Sequence, residues 1–415
     1  MSTTSVTKIP SSFKYFDKRN TDAGRKMAQE LGRFVDGPIA LPDLVAGELG
    51  RDRARADALS DEFIGAAFAG KYAHEARKMV DQALDHGIDS VPDASPELVA
   101  LFKHLDTEPA WLDWDRVERG AKVFRRFGVD AYYYFGLIGL DAYRAEFIHK
   151  PLVLTGAYTG GSTFGRYLET CRFWMDVSEP GALRQGGAGR KTAVTIRVMH
   201  SMIRRKVGPH AEWDAERLGA PLSQNPQFGT IMLSFLLTQH TKMIGYWHSD
   251  AEILDHMHFW RYVAYLLGVE PAFYPETVED WWRVVYLMML QDDPADGPDS
   301  RMLAQSFVTA FGPTDTDPRD VRKRKLKEQA KVLGWTRFFL TDDTFTANQL
   351  PAPGWRRWLP LTRLVPNLLG EIGRRVLPGY ADRLDARQRQ SRAAWLQQHA
   401  AGRAARFAPV ETLSR

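Results

Sequence analysis

The segment 190–207 (RKTAVTIRVMHSMIRRKV) has residue types and spacing suited to chemistry. As a helix it places His200 on one face with Ile196 and Ile203, because these residues follow at steps of four and three. Arg197 lies three residues before His200 and Arg204 four residues after it. A guanidinium therefore lies one turn away from the imidazole on each side. Such an imidazole is poorly placed to act as a general base.

This arrangement would suit a neutral histidine that binds iron. A haem would suit it, because the two propionates of the macrocycle need cationic partners, and Arg197 and Arg204 are available for them. An alternative stays open from the residues alone. In it, His200 is a core histidine bonded to a backbone carbonyl, and both arginines lie in water.

Arg166, Glu169 and Thr170 form a second group that can face one space, because they lie three and four residues apart in an expected helix. On the wall of a cavity, the arginine could hold dioxygen or an oxyanion and the glutamate could move a proton. Burial would raise the pKa of Glu169 and Arg166 would lower it. We expect Arg166 to prevail and to keep the carboxylate ionised. The alternative is an intrahelical ion pair at the surface.

Other enzyme signatures are absent or incomplete. The chain has no phosphate-binding loop, no GxSxG elbow and no HExxH helix. A di-iron bundle needs two Glu-x-x-His pairs, and Glu146 with His149 is the only such pair. The histidines between residues 240 and 258 lie among tryptophans, which favours aromatic packing over metal binding.

The elements that must position these residues are helices. Apolar periodicity predicts helices over 113–127, 163–177, 191–207, 227–246, 249–267 and 278–290, and a fully buried helix over 131–140. Ser60 and Asp61 are predicted N-caps for a helix that begins at Glu62. Alternating strand patterns are scarce and no repeat is evident. We therefore predict one large all-α domain over 46–317, with an N-terminal extension over 1–45 and a basic C-terminal extension over 318–415 that wraps the domain with short helices.

Composition and charge limit the class of protein. The chain is 44% hydrophobic and 26% charged, as in ordinary globular proteins. Its single cysteine fits a reducing compartment, and the N-terminus lacks an apolar leader, so we expect a cytoplasmic protein without a membrane span. Residues 318–415 hold 20 Lys or Arg against 8 Asp or Glu. We interpret them as a solvated helical face; binding of nucleic acid is the alternative.

Five motifs, in order, carry a resemblance to a known family between about residues 110 and 290. They are 154–156 (LTG), 166–170 (RYLET), 194–200 (VTIRVMH), 213–225 (WDAERLGAPLSQN) and 259–268 (FWRYVAYLLG). Together they resemble the latex-clearing (rubber oxygenase) family. Its relatives include a fungal oxygenase that cleaves a farnesyl chain in mycophenolic acid biosynthesis.

The resemblance implies a globin-like helical core that binds haem b. It implies His200 as the proximal ligand and Arg166 and Thr170 as distal residues, in enzymes that cleave C=C bonds of isoprenoids with dioxygen. Two positions depart from the family. Glu169 stands where rubber oxygenases place a lysine, and Lys150 stands near their catalytic glutamate, with Glu146 one turn earlier as a substitute.

The sequence therefore predicts a haem b-dependent oxygenase in which His200 binds iron and Glu169 handles protons. The expected substrate is a small or medium apolar molecule, such as an isoprenoid or another alkene, with dioxygen or peroxide as oxidant. The alternative is a haem-binding sensor or carrier that is not an enzyme. Oligomeric state is not predicted.

Overall fold

A computed structural model describes residues 8–69, 75–156 and 163–400 of the chain. These ranges contain α-helices and short 3-10 helices and no strand, so the predicted all-α class is confirmed. The α-helices are α1 (Tyr15–Lys18), α2 (Asp22–Gly32), α3 (Asp43–Arg51), α4 (Ala58–Ala69), α5 (Ala76–His86), α6 (Pro96–Asp106), α7 (Trp114–Arg126), α8 (Val129–Ala142), α9 (Glu146–Leu154), α10 (Thr163–Ser178), α11 (Ala188–Val207), α12 (Ala215–Leu218), α13 (Gln224–His240), α14 (Asp250–Leu266), α15 (Val278–Leu290), α16 (Pro298–Ala310), α17 (Arg319–Phe339), α18 (Asp342–Ala347), α19 (Leu364–Val376) and α20 (Tyr380–Ala400). The 3-10 helices are Ile88–Ser90, Thr241–Ile244 and Gly354–Arg363.

Helix α8 lies in the centre of the fold, as its uniformly apolar sequence predicts. Nearly every residue between 131 and 140 is buried, and α13, α16, α17 and α20 all pack against this helix. Gly136 permits the closest approach: a Cβ there would lie 2.5 Å from the Phe307 ring of α16 and 3.0 Å from the Tyr167 ring of α10. A side chain at this position would therefore separate the helices that surround α8.

Most predicted helices lie where the periodicity placed them. Helix α15 has the predicted bounds, and its start is fixed by Thr277, whose side chain accepts a hydrogen bond from the backbone N–H of Asp280. The predicted N-caps of α4 are wrong. The helix begins at Ala58, where the side chain of Asp57 accepts a bond from the Ser60 backbone N–H at 3.5 Å.

The C-terminal extension is more helical than expected, and the N-terminal extension contains helices as well. Residues before 46 contain α1, α2 and the start of α3. The prediction of short C-terminal helices is wrong, because α17 and α20 have 21 residues each. Trp335 of α17 and Trp395 of α20 join the main hydrophobic core. The divisions at residues 45 and 317 stay predictions, and residues 1–7 and 401–415 lie outside the described residues.

Candidate active site

A cavity of about 430 Å³ lies between α8, α9, α10, α11 and α13. Pockets of this size hold small-molecule ligands. Its lining is mainly apolar, with Phe135, Phe147, Trp174, Ile231 and Trp260 among the larger side chains. Four of the six predicted site residues line it as well, namely His200, Arg166, Glu169 and Thr170. The two groups of predicted site residues, at 166–170 and at 200, therefore line the same cavity.

His200 reaches the cavity from α11 on the predicted face. Ile196 and Ile203 line the cavity with it. The Nδ1 atom of His200 lies 2.9 Å from Gln227 Oε1, whereas Nε2 makes no hydrogen bond to any described residue. Burial is the main cause that lowers the pKa of His200 to about 4, and the positive charge of Arg204 adds to it. The ring is therefore neutral at physiological pH, with one nitrogen uncommitted.

Gln227 decides which nitrogen of His200 carries the proton. Its amide NH₂ donates to the Leu222 carbonyl at 2.6 Å, so the amide oxygen faces the imidazole. An oxygen acceptor at Nδ1 requires Nδ1–H, which leaves the lone pair on Nε2. Metal-binding histidines have this arrangement. Gln227 was not predicted from the sequence; the polar residues in the first turn of α13 were the available signal.

Leu222 is held in a backbone conformation that is uncommon for a residue with a side chain. Its φ of 49° lies in the left-handed region. Its carbonyl accepts from Gln227 and also from Arg204 Nη1, at 3.1 Å. The orientation of His200 therefore depends on a chain of bonds through Gln227 and Leu222 to Arg204.

Arg166 and Glu169 form an ion pair on the cavity wall. Arg166 Nη1 lies 2.9 Å from Glu169 Oε2, with side-chain exposures of 27% and 15%. The pair is intrahelical, as the alternative interpretation supposed, yet both side chains line the cavity. The expectation that Arg166 outweighs burial is wrong. Burial is the larger effect, and it raises the pKa of Glu169 above its ordinary value.

Helix α10 is fixed where it presents these residues. The hydroxyl of the buried Tyr167 donates to the Tyr132 carbonyl of α8 at 2.7 Å. The hydroxyls of Thr163 and Ser306 on α16 lie 2.6 Å apart. Thr170 lines the cavity, and its hydroxyl donates to the Arg166 carbonyl at 3.0 Å. The position of Thr170 thus follows the backbone of α10.

Arg197 and Arg204 do not line the cavity. Arg197 is 1% exposed and binds Asp57 through Nε and Nη2, at 2.7 and 2.8 Å. Arg204 binds Asp61 at 2.8 Å. The alternative interpretation placed both arginines in water, and that part of it is wrong. Both side chains join α11 to the start of α4. Their role as partners of haem propionates stays a prediction.

Glu146 and Lys150 also lie off the cavity wall. Glu146 binds Arg217 at 2.6 Å and Lys150 at 3.3 Å, and Arg217 is the main cause that lowers its pKa. Among the described lining residues, Glu169 is the only carboxylate. Within the described ranges, no three His, Cys, Asp or Glu side chains are grouped to hold a metal ion. His200 offers one imidazole nitrogen to the cavity, and a haem, whose macrocycle supplies four nitrogens of its own, needs one such axial ligand.

Comparison with known proteins defines the class of fold. A solved structure of latex clearing protein in the closed state superposes with a TM-score of 0.58 at 17% identity, over 82% of this chain and 91% of that chain. The rubber oxygenase of Streptomyces sp. (strain K30) is 24% identical over 200 residues. The aligned part covers 48% of this chain and 47% of the relative, so the chain spans about half the length of the curated relative it matches. The fold is that of the helical latex clearing proteins.

The sequence also matches the family described as "ER-bound oxygenase mpaB/B'/Rubber oxygenase, catalytic domain" over residues 125–407. This match covers more than half of the chain, so the chain belongs to that family. The predicted resemblance is therefore confirmed. The family match extends beyond the motifs between residues 110 and 290 and continues through α17 and α20.

Proposed function

We propose that this protein is a haem b-dependent oxygenase that acts on an apolar substrate, with dioxygen or peroxide as the oxidant. One observation carries the proposal: a neutral imidazole with an uncommitted Nε2 lines an apolar cavity that also contains a paired guanidinium and carboxyl group. Membership in an oxygenase family supports it.

In this proposal His200 supplies the axial nitrogen, and Gln227 keeps that nitrogen unprotonated. The Gln227 oxygen holds the proton on Nδ1, so Nε2 keeps its lone pair for iron. Haem, when bound, supplies the redox chemistry with the oxidant. The histidine cannot act as a general base once Nε2 is bound, so proton transfer must involve another group.

We assign proton transfer to Glu169, with Arg166 as its partner. Because burial raises the pKa of Glu169 while Arg166 opposes the shift, the carboxyl can hold a proton closer to neutral pH than a solvated glutamate can. Arg166 can donate hydrogen bonds to an oxygen that gains negative charge. Thr170, one turn along α10, shapes the same wall.

The lining indicates an apolar substrate, since ring and aliphatic side chains exclude water from most of the cavity. An isoprenoid or another alkene fits this lining, and the Streptomyces relative is itself named a rubber oxygenase. Cleavage of a C=C bond by one dioxygen places one oxygen atom on each new carbonyl, so no external reductant is consumed.

The test is turnover of a soluble isoprenoid alkene, squalene in detergent, by the haem-loaded protein under ¹⁸O₂. We expect carbonyl products that carry one ¹⁸O atom at each new end when analysed promptly by mass spectrometry. Glu169→Gln is the site variant in this assay. Glu30→Gln, on the exposed surface of α2, is its matched control. Haem binding without any oxygenated product from squalene or a smaller alkene panel, with dioxygen or hydrogen peroxide, would contradict the oxygenase proposal and favour a sensor or carrier.

A further inference from the structure

Helix α19 has its polarity reversed relative to an ordinary surface helix. Its buried residues are Asn367, Gly370, Glu371 and Gly373. Its exposed residues are large and apolar: Val365 and Leu369 are each 62% exposed and Val376 is 66% exposed. These three, with Leu368 and Ile372, recur at three- and four-residue steps and form one stripe. The apolar face of α19 thus points away from the protein.

The preceding 3-10 helix Gly354–Arg363 continues this stripe. Side chains three residues apart eclipse each other in a 3-10 helix. Trp355, Trp358 and Leu361 follow that spacing and are 69%, 53% and 39% exposed. We call the exposed apolar side chains of this 3-10 helix and of α19 the apolar ridge. An exposed apolar surface of this extent marks an interaction site.

The polar side of the ridge is firmly attached to the fold. Glu371 is 2% exposed and its Oε1 lies 3.1 Å from Arg126 Nε. Asn367 donates to the Ile244 carbonyl at 2.9 Å. Gly334 of α17 admits the backbone of the 3-10 helix, since a Cβ there would lie 2.2 Å from the Arg356 carbonyl. The outward position of the apolar side chains is therefore built into the fold.

The unpaired charge around the ridge is positive, although Arg363, Arg374 and Arg375 are bound to the carboxylates of Asp130, Glu252 and Glu371. Between Asp343 and Asp382 the sequence has five arginines and one acidic residue, the buried Glu371. Arg356 and Arg357 are exposed and have no carboxylate partner within the described ranges. Arg357 lies over the ring of Trp358, 4.7 Å from its centroid. Tryptophan beside arginine is the composition typical of segments that lie at a membrane–water interface.

We propose that the apolar ridge binds the surface of an anionic lipid bilayer, with the stripe inserted below the headgroups and with Arg356 and Arg357 at the phosphates. No helix in the described ranges is long and apolar enough to cross a bilayer, so the contact is to one leaflet. A second copy of the chain would bring two sets of arginines together, and their repulsion disfavours that occupant. An anionic bilayer instead complements both the charge and the apolar stripe.

The test is co-sedimentation of the full chain with vesicles, and it does not require haem or turnover. Vesicles of phosphatidylcholine alone are compared with vesicles that contain phosphatidylglycerol as well, at low and high salt. We expect binding to the anionic vesicles only, weakened by salt. Val365→Asp/Leu369→Asp should reduce it at least tenfold, because both side chains are solvent-exposed and the charges oppose insertion. Leu44→Asp, a 75% exposed leucine on α3, is the matched control and should bind as the parent protein does.

A second variant keeps the test decisive if the double aspartate variant folds poorly. Arg356→Ser/Arg357→Ser leaves the stripe intact and should weaken binding to anionic vesicles roughly fivefold per arginine, about twenty-five-fold for the pair. The proposal would be overturned if the same amount of protein sedimented with and without anionic vesicles. It would also be overturned if either variant, when folded, bound these vesicles as the parent protein does. A dimer in light scattering that dissociates in Val365→Asp/Leu369→Asp, without vesicle binding, would overturn it in favour of a second copy.

Discussion

Removing the guanidinium of Arg197 should destabilise the fold rather than weaken haem binding. In the structure Arg197 and Asp57 are nearly inaccessible, with side-chain exposures of 1% and 4%. Arg197→Leu would leave a buried carboxylate without its cation, which costs about 3–5 kcal/mol. For a chain of 415 residues, an unfolding entropy near 2.1 cal/mol/K per residue converts this cost to a fall in Tm of roughly 3–6 °C.

The assay is thermal unfolding of the haem-free protein followed by circular dichroism at 222 nm. Arg197→Leu/Asp57→Leu removes both charges and should recover most of the loss, apart from about 1 kcal/mol for the cap that Asp57 gives α4. Arg25→Leu is the control, because Arg25 pairs with Asp22 at the surface and the two side chains are 63% and 99% exposed. Its effect should stay under about 1 kcal/mol.

Haem titration of the same variants at a temperature where all are folded separates the two roles of Arg197. We expect Arg197→Leu to bind haem within about twofold of the parent protein, since its guanidinium does not line the cavity. An unchanged Tm together with haem affinity at least tenfold weaker would refute the structural reasoning and support the propionate assignment.

Three further predictions concern the cavity. Glu169→Gln should keep haem and lower turnover by roughly 10²–10⁴ if the carboxyl group moves a proton, whereas Glu30→Gln should not; equal rates would refute the role. Arg166→Ala removes the charge that lowers the pKa of Glu169, so the pH profile of turnover that reports Glu169 should move to higher pH, and a move to lower pH would contradict this. Gln227→Leu removes the acceptor for Nδ1–H of His200 and should weaken haem affinity about 10–100-fold in a titration; unchanged affinity would show that the amide does not orient the ring.

The elements of the fold were predictable wherever local sequence determines them. The start of α15 depends on a threonine and an apolar period that lie within a few residues of each other. The same holds for the face of α11 that carries His200. The prolines at 351, 353, 360, 366 and 378 favour short helices in the C-terminal extension, yet they lie between α17 and α20 and interrupt neither. Proline content over a long window thus concealed two long helices.

The partners of the site residues were not predictable from local spacing. Arg197 and Arg204 have the spacing expected around a haem ligand, yet their carboxylates come from Asp57 and Asp61, about 140 residues earlier. Gln227 reaches His200 from another helix. The reversed polarity of α19 also depends on tertiary contacts, since its sequence is amphipathic in either orientation. In each case the local sequence allows two interpretations, and contacts with residues far away in the sequence decide between them.

The central claim, that His200 binds haem iron in this cavity, is tested most directly by the absorption spectrum after stoichiometric addition of hemin. His256→Ala is the matched control, because His256 is fully buried, bonds to the Ser234 carbonyl through Nε2 and does not line the cavity. We predict a Soret band with one haem per chain for the parent protein and for His256→Ala, and loss of that band in a folded, helical His200→Ala. Stoichiometric haem with an unchanged spectrum in His200→Ala would contradict the account.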